Sequence, residues 1–268
     1  MRPLGPGREI APGTTVLAHL ARSNGLDVYD AWNEPRACRV IAKTLRPDKL
    51  RSESAVRHLL SEGRLLARLT HPHIVRAYEV HREPRPVVVM ETLAGATLDH
   101  LIKHDRPLSA AELAHLGSHL ASGLAHLHAN GIVHLDLKPS NVIAERGRAK
   151  LIDLSHARRP GRVRAGHGTW CYMAPEQARG GTVGPAADVW GLGIVLYSAA
   201  LRANALADLA DELDTDEPQL AARLPLLRRE RPRLARELAE LVDACLEPDP
   251  ADRPALPDAT RTLYALAG

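Results

Sequence analysis

Phenylalanine is missing from this 268-residue chain, and aromatic residues of all kinds make up only 3% of it. The formal charge is only +3. With so little of either, no stretch reads as a basic, aromatic-studded groove, and nucleic acid is not an expected partner. Cysteine is also scarce: Cys38, Cys171 and Cys245 are odd in number and far apart, which excludes a disulfide framework and a Cys-x-x-Cys metal clip and fits a reducing compartment. The opening stretch, MRPLGPGREIAPGTT, lacks the apolar middle of a signal peptide. The longest greasy run, Val189 to Leu201, is too short to cross a bilayer and suits a buried helix. Internal repeats and low-complexity tails are absent.

Two local excesses remain. Arginines cluster at 158, 159, 162 and 164 and again at 228, 229, 231, 233 and 236, either as solvated surface or as a face for an acidic or phosphorylated partner. The pairs His100/His104 and His115/His119 have the spacing of one helix face, yet no third ligand is suggested near either, so surface histidine is the plainer reading.

The first third of the chain reads as β-rich. Asn24-Gly25 is a two-residue hairpin signal between two plausible strands, and ACRVIAK supplies a third. ESAVRHLLSEGRLLARL reads as a helix with Leu59, Leu66 and Leu69 on one stripe, and Glu62 falls on that same stripe. An acid on an apolar face is costly unless a cation meets it. VVVMETLAG then reads as a buried strand entering a glycine-containing connector.

The remainder reads as helical. Ser109 and Glu112 form a capping box opening a helix that Asn130-Gly131 closes. A strand-like GIV leads into HLDLKPSN, residues 134–141, which packs His, Asp, Lys and Asn into eight positions. KLIDLS, a loop without regular pattern, GTWCYMAPEQ and a helix beginning near Asp188 follow, then further helices to the C-terminus.

The ordered set VIAK, HLDLKPSN, IDLS, GTWCYMAPE and DPADRP resembles the eukaryotic-type (Hanks-type) serine/threonine protein kinases of bacteria, over roughly residues 14–267. Thirty arginines against five lysines accord with a bacterial, high-GC source. The resemblance implies an α+β, bilobal protein-kinase-like fold. After an N-terminal arm over 1–13 would come a kinase domain over 14–268: a β-rich N-lobe with one main helix (14–90), a hinge (91–95) and a helical C-lobe (96–268). It also implies transfer of the ATP γ-phosphoryl group to a protein hydroxyl, with Mg2+ as the ion and Mn2+ the alternative.

Roles carry over position by position. Asp136 matches the aspartate that accepts or orients the hydroxyl proton, Lys138 the lysine of serine/threonine kinases, and Thr169 the threonine that supports hydroxyl alignment. Asn141 and Asp153 match the metal-holding residues, and Lys43 with its helix partner Glu62 matches the pair that meets the phosphates. Nucleotide contacts fall on Leu20, Val28, Ile41, Lys43, Met90, Glu91, Leu93, Ile143 and Asp153. Glu176 with Arg253, and Asp188, match scaffold groups. The implied partners are a protein substrate and a cytosolic regulatory protein; no nucleic acid and no membrane span are expected, and the implied location is cytoplasmic.

Four departures qualify the resemblance. Ala21, Ser23 and Leu26 replace the glycines of the phosphate loop, which let a backbone approach phosphates closely. Ile41 stands where alanine is usual, on the same strand face as Lys43. Ser155 replaces the glycine after the chelating aspartate. Leu135 replaces the arginine that normally pairs with a phosphorylated loop, and no Ser, Thr or Tyr lies between Ser155 and Thr169. Regulation without phosphorylation of that loop is expected. Two alternatives stay open: a pseudokinase scaffold, motivated by the lost glycines, and a small-molecule phosphotransferase, which leaves DLKPSN together with GTWCYMAPE unexplained.

Overall fold

The computed structural model describes residues 2–23 and 25–268. Contacts divide the chain into two compact units, Met1–Ala94 with Asp153–Ser155, and Gly95–Ile152 with His156–Gly268.

The first unit is built on a six-stranded antiparallel sheet of order β1-β2-β3-β4-β6-β5. Its strands are β1 (Glu9–Ala11), β2 (Thr14–Ser23), β3 (Leu26–Asn33), β4 (Cys38–Leu45), β5 (Ala77–His81) and β6 (Val87–Glu91), with one helix, α1 (Glu53–Arg68). Strand alternation assigns the two faces. Tyr29, Ala31, Val40, Ala42, Val87 and Val89 join Ile10, Ala11 and Val16 in a buried cluster on one face. Their neighbours Val28, Ile41, Lys43, Val88 and Met90 lie on the other, in register across β3, β4 and β6. Both faces of β6 are covered, which is why its sequence, VVVM, does not alternate.

Helix α1 packs against the β5 and β6 part of the Lys43 face, over Val80 and Val88. The Ser52 hydroxyl accepts from the Ala55 N–H to start it, and Val56, Leu59, Leu60 and Leu66 are buried. Gly63 is needed there, since a Cβ at that position would lie 2.6 Å from a Val88 methyl. The β2–β3 hairpin is paired up to Ser23 and Leu26, while Asn24 of the expected turn lies outside the described residues. Two results differ from the sequence reading. Residues 9–11 of the expected arm add a strand to the sheet edge, burying Ile10 and Ala11. Two register shifts within β2 pass over Leu17 and Leu20, both exposed.

The second unit contains two small sheets among helices. One joins β7 (Ala96–Thr97), β8 (Val142–Glu145) and β9 (Arg148–Leu151); the other pairs β10 (Gly161–Val163) with β11 (Gly181–Val183). The helices are α2 (Leu98–His104), α3 (Ala110–Ala129), α4 (Pro175–Arg179), α5 (Pro185–Leu201), α6 (Ala205–Leu213), α7 (Pro218–Ala221), α8 (Leu227–Glu230), α9 (Arg236–Cys245) and α10 (Leu256–Ala267). The expected capping box is present: Ser109 accepts from the Glu112 N–H, and Glu112 accepts from the Ser109 N–H. From Ala187 to Ala200 every residue of α5 is buried, which explains its unbroken apolar sequence. Gly117 of α3 lets Leu263 of α10 and Leu196 of α5 close in, since its Cβ would fall 2.7 Å from a Leu263 methyl.

The loop read as patternless contains β10, tied antiparallel to β11. GIV, read as strand-like, makes only an isolated bridge between Val133 and Arg158. The helix expected near Asp188 begins at Pro185, with Asp188 in its first turn. No single helix among the described residues is long and apolar enough to cross a membrane.

Candidate active site

In the first unit the Glu62 puzzle resolves into an ion cluster. Helical periodicity turns Glu62 toward the sheet, and strand alternation turns Lys43 toward the helix. Lys43 Nζ donates to both Glu62 carboxylate oxygens at 2.8 and 3.0 Å and to Asp153 Oδ2 at 3.3 Å. The Lys43 and Glu62 side chains are 7% and 4% exposed, against 28% for Asp153.

One ammonium therefore serves two carboxylates of unequal burial. Burial opposes the Lys43 charge, but Glu62 and Asp153 outweigh it and hold the ammonium above its ordinary range. For Glu62, burial dominates and pushes the carboxyl up, with Asp153 adding to the push and Lys43 opposing it. Burial would raise Asp153 as well, yet Lys43 and the Ser155 N–H, which donates to it at 2.8 Å, hold it well below the usual carboxylate range. Asp153 is thus an ionised oxygen donor with part of its surface open, which fits a hard divalent cation.

The Lys43 face of the sheet carries Val28, Ile41 and Met90, an apolar strip beside a fixed positive charge. That combination suits a flat base followed by phosphates. Ala21 pairs with Val28 just past a register shift, Ser23 pairs with Leu26, and Arg22 clamps Asp27 at 2.7 and 2.9 Å. The clamp holds the buried Asp27 carboxyl below its ordinary range. Leu20 is exposed, Glu91 accepts from the Arg76 N–H at 2.9 Å, and Leu93 is partly buried just beyond β6.

The second unit gathers the residues of HLDLKPSN. Asp188 Oδ2 accepts from the His134 N–H and Oδ1 from the Leu135 N–H, both at 2.8 Å, and His128 Nε2 lies 2.7 Å from Oδ2. These bonds hold Leu135 at φ 62°, a left-handed conformation that costs a leucine on the order of 1–2 kcal/mol. The next residue, Asp136, is buried and sits in a polar ring: Thr169 Oγ1 is 2.5 Å from its Oδ1, Lys138 Nζ is 2.8 Å from its Oδ2, and Asn141 Nδ2 donates to Oδ2 at 3.0 Å. Lys138 also reaches Thr169 Oγ1 at 2.5 Å. Ile143 lies in β8, partly buried. Sequence reasoning had not singled out His128 or Asp27; neither stands in a motif, and each is marked only by the partner it meets.

Arg253 and Glu176 meet as expected, with two parallel bonds of 2.7 and 2.8 Å, and the guanidinium lies 5.2 Å over the Trp190 ring.

Several known proteins are similar to this chain. PkaA of Streptomyces coelicolor, a serine/threonine-protein kinase, is 31% identical over 99% of this chain and 49% of its own length. PrkC of Bacillus subtilis, of the same description, is 28% identical over 92% of this chain and 39% of its own. The DNA damage-responsive serine/threonine-protein kinase RqkA of Deinococcus radiodurans is 35% identical over 74% of this chain and 31% of its own. The chain thus spans about half or less of the length of these curated relatives. A crystal structure of the Mycobacterium tuberculosis PknI kinase domain, in a mutant form, shares the fold with a TM-score of 0.77 at 23% identity, covering 100% of both chains. The family model described as the protein kinase domain matches residues 22–265, taking in both the lysine–glutamate cluster and the Asp136 ring, and the chain belongs to that family.

Proposed function

We propose that this domain transfers the γ-phosphoryl group of ATP to a serine or threonine hydroxyl of a protein substrate. The observation that carries the reading is the Asp136 carboxylate, buried yet ringed by Thr169, Lys138 and Asn141. Phosphoryl transfer depends on positioning and charge neutralisation more than on covalent chemistry. Asp136 orients the incoming hydroxyl and takes its proton, and Thr169 sets the direction of approach. Lys138 offsets negative charge beside them. Lys43, kept charged and fixed by Glu62, meets the phosphates. Val28, Ile41 and Met90 receive the base, with Leu20, Glu91 and Leu93 of the same unit beside it.

Asn141 and Asp153 would hold the divalent ion, Mg2+ in preference to Mn2+ because short hard-oxygen ligands suit the smaller ion. When bound, that ion neutralises phosphate charge. The setting is the cytoplasm, and with no phosphorylatable residue between Ser155 and Thr169 a cytosolic partner supplies the regulation.

Incubation with labelled ATP, Mg2+ and a generic protein acceptor tests the reading. Label is expected on protein with the wild type, and Asp136→Asn should reduce it by about 10²–10⁴-fold. A scaffold without turnover is the second reading, favoured by the strand pairing of Ala21 with Val28 and of Ser23 with Leu26 where glycines would free the backbone. A nucleotide-induced rise in Tm without any label would select it.

A further inference from the structure

Gln177 is 2% exposed, an amide buried in a unit whose other deep residues are mostly apolar. Its Nε2 donates to the Leu135 carbonyl at 2.8 Å and to the His167 carbonyl at 2.6 Å, while its Oε1 accepts from the Ala174 N–H at 3.1 Å. Its own backbone carbonyl accepts from the Gly166 N–H at 3.0 Å. The two side-chain acceptors are well chosen. Leu135 immediately precedes Asp136, and His167 lies two residues before Thr169, whose hydroxyl is 2.5 Å from Asp136.

Gly168 shows how closely the two loop segments and Gln177 are drawn together. A Cβ there would lie 2.9 Å from Gln177 Nε2 and 3.0 Å from the Leu135 carbonyl oxygen, and its φ of 136° disfavours any side chain. Leu135 itself is held from both sides, its N–H by Asp188 and its carbonyl by Gln177. Its left-handed backbone needs such restraint, because nothing intrinsic to leucine favours it.

We infer that Gln177 is a positioning residue that clips the Asp136 loop to the Thr169 segment, a permanent neutral link where Leu135 leaves no arginine to pair with a phosphate. The link is set by folding and requires no modification. β10–β11 pairing and the Val133–Arg158 bridge hold the same segment on either side. Removing the amide leaves the buried Leu135 carbonyl and the part-buried His167 carbonyl without this donor, which favours movement of both segments.

The kinetic half of the inference rests on the proposed phosphoryl transfer, and the structural half does not. The test compares the whole chain with Gln177→Met, similar in length and without donors, and with Leu263→Ala in α10 as a control for general destabilisation. In Gln177→Met, kcat should fall about 10- to 100-fold with KM for ATP within twofold. Amide exchange at 135–137 and 166–169 should rise at least about tenfold while α5 and α10 keep their protection. Leu263→Ala should lower Tm as much or more with kcat within threefold. Unchanged exchange in Gln177→Met, or an equal kcat loss in Leu263→Ala, overturns the clip. Wild-type protein without turnover overturns the transfer reading alone, and the exchange comparison still decides the clip.

Discussion

Replacing Lys43 with methionine removes the ammonium and leaves most of the volume. Glu62, 4% exposed on the apolar face of α1, then loses both Lys43 bonds and keeps the Leu154 N–H at 3.4 Å, and Asp153 loses its 3.3 Å partner. Breaking one side of a buried pair costs about 3–5 kcal/mol. The lower figure applies here, because Glu62 is already biased toward protonation by burial and can neutralise instead. About 3 kcal/mol corresponds to a Tm loss of roughly 10 °C for a chain of this size.

The sign with pH follows from which form each state prefers. A carboxyl whose folded pKa is raised stabilises the fold most below its unfolded pKa, and that contribution is lost as pH rises through the folded value. The Lys43→Met deficit is therefore largest at neutral pH and shrinks on acidification toward the ordinary glutamate range. Asp153 behaves oppositely in the wild type. Its depressed pKa gives stability present above the unfolded value near 4, lost as pH falls further. Adding Glu62→Leu to Lys43→Met should recover most of the deficit. Thermal melts of the wild type and both variants at several pH values provide the measurement. A neutral-pH Tm for Lys43→Met within about 2 °C of wild type, or a deficit that grows on acidification, would refute the cluster as the source of stability.

The capping box gives a second pH-dependent prediction. Arg106, then the Ser109 N–H and hydroxyl, hold Glu112 down at about 2. Glu112→Gln should cost about 1 kcal/mol at neutral pH, and the difference from wild type should fade as pH drops from 4.5 to 2. At the Arg253 fork, the guanidinium bonds Glu176 twice and also reaches the Ala186, Glu247 and Pro248 carbonyls. Lysine there has too few donors and no planar stack, so Arg253→Lys should lower urea-unfolding stability by about 2–4 kcal/mol. A loss below about 0.5 kcal/mol would show the fork to be replaceable.

What was legible in the sequence was whatever repeats within a few residues. The stripe of α1, the Ser109–Glu112 box and the alternation of β4 are local, so composition and spacing carried them. Glu62 was informative because a charge on an apolar stripe demands a partner, and Lys43 stood on a strand face able to supply one. Asp136, Asn141 and Asp153 stood out through ordered motifs, though spacing alone says nothing of the ring around Asp136.

Tertiary structure decided what depends on chain segments far apart. β1 forms because Ile10 and Ala11 find a buried cluster beneath the sheet, and three residues carry too little pattern to announce that. β10 pairs with β11 only because the intervening chain folds back, while GIV, apolar enough to be a strand, finds a single bridge. Gln177 is an ordinary helix residue until folding brings the Leu135 and His167 carbonyls to its amide. The sequence by itself determined which side chains are charged, apolar or able to turn. Burial and long-range hydrogen bonding, which exist only once distant segments meet, decided which of those groups hold Leu135 in its left-handed bend and Asp136 within its ring.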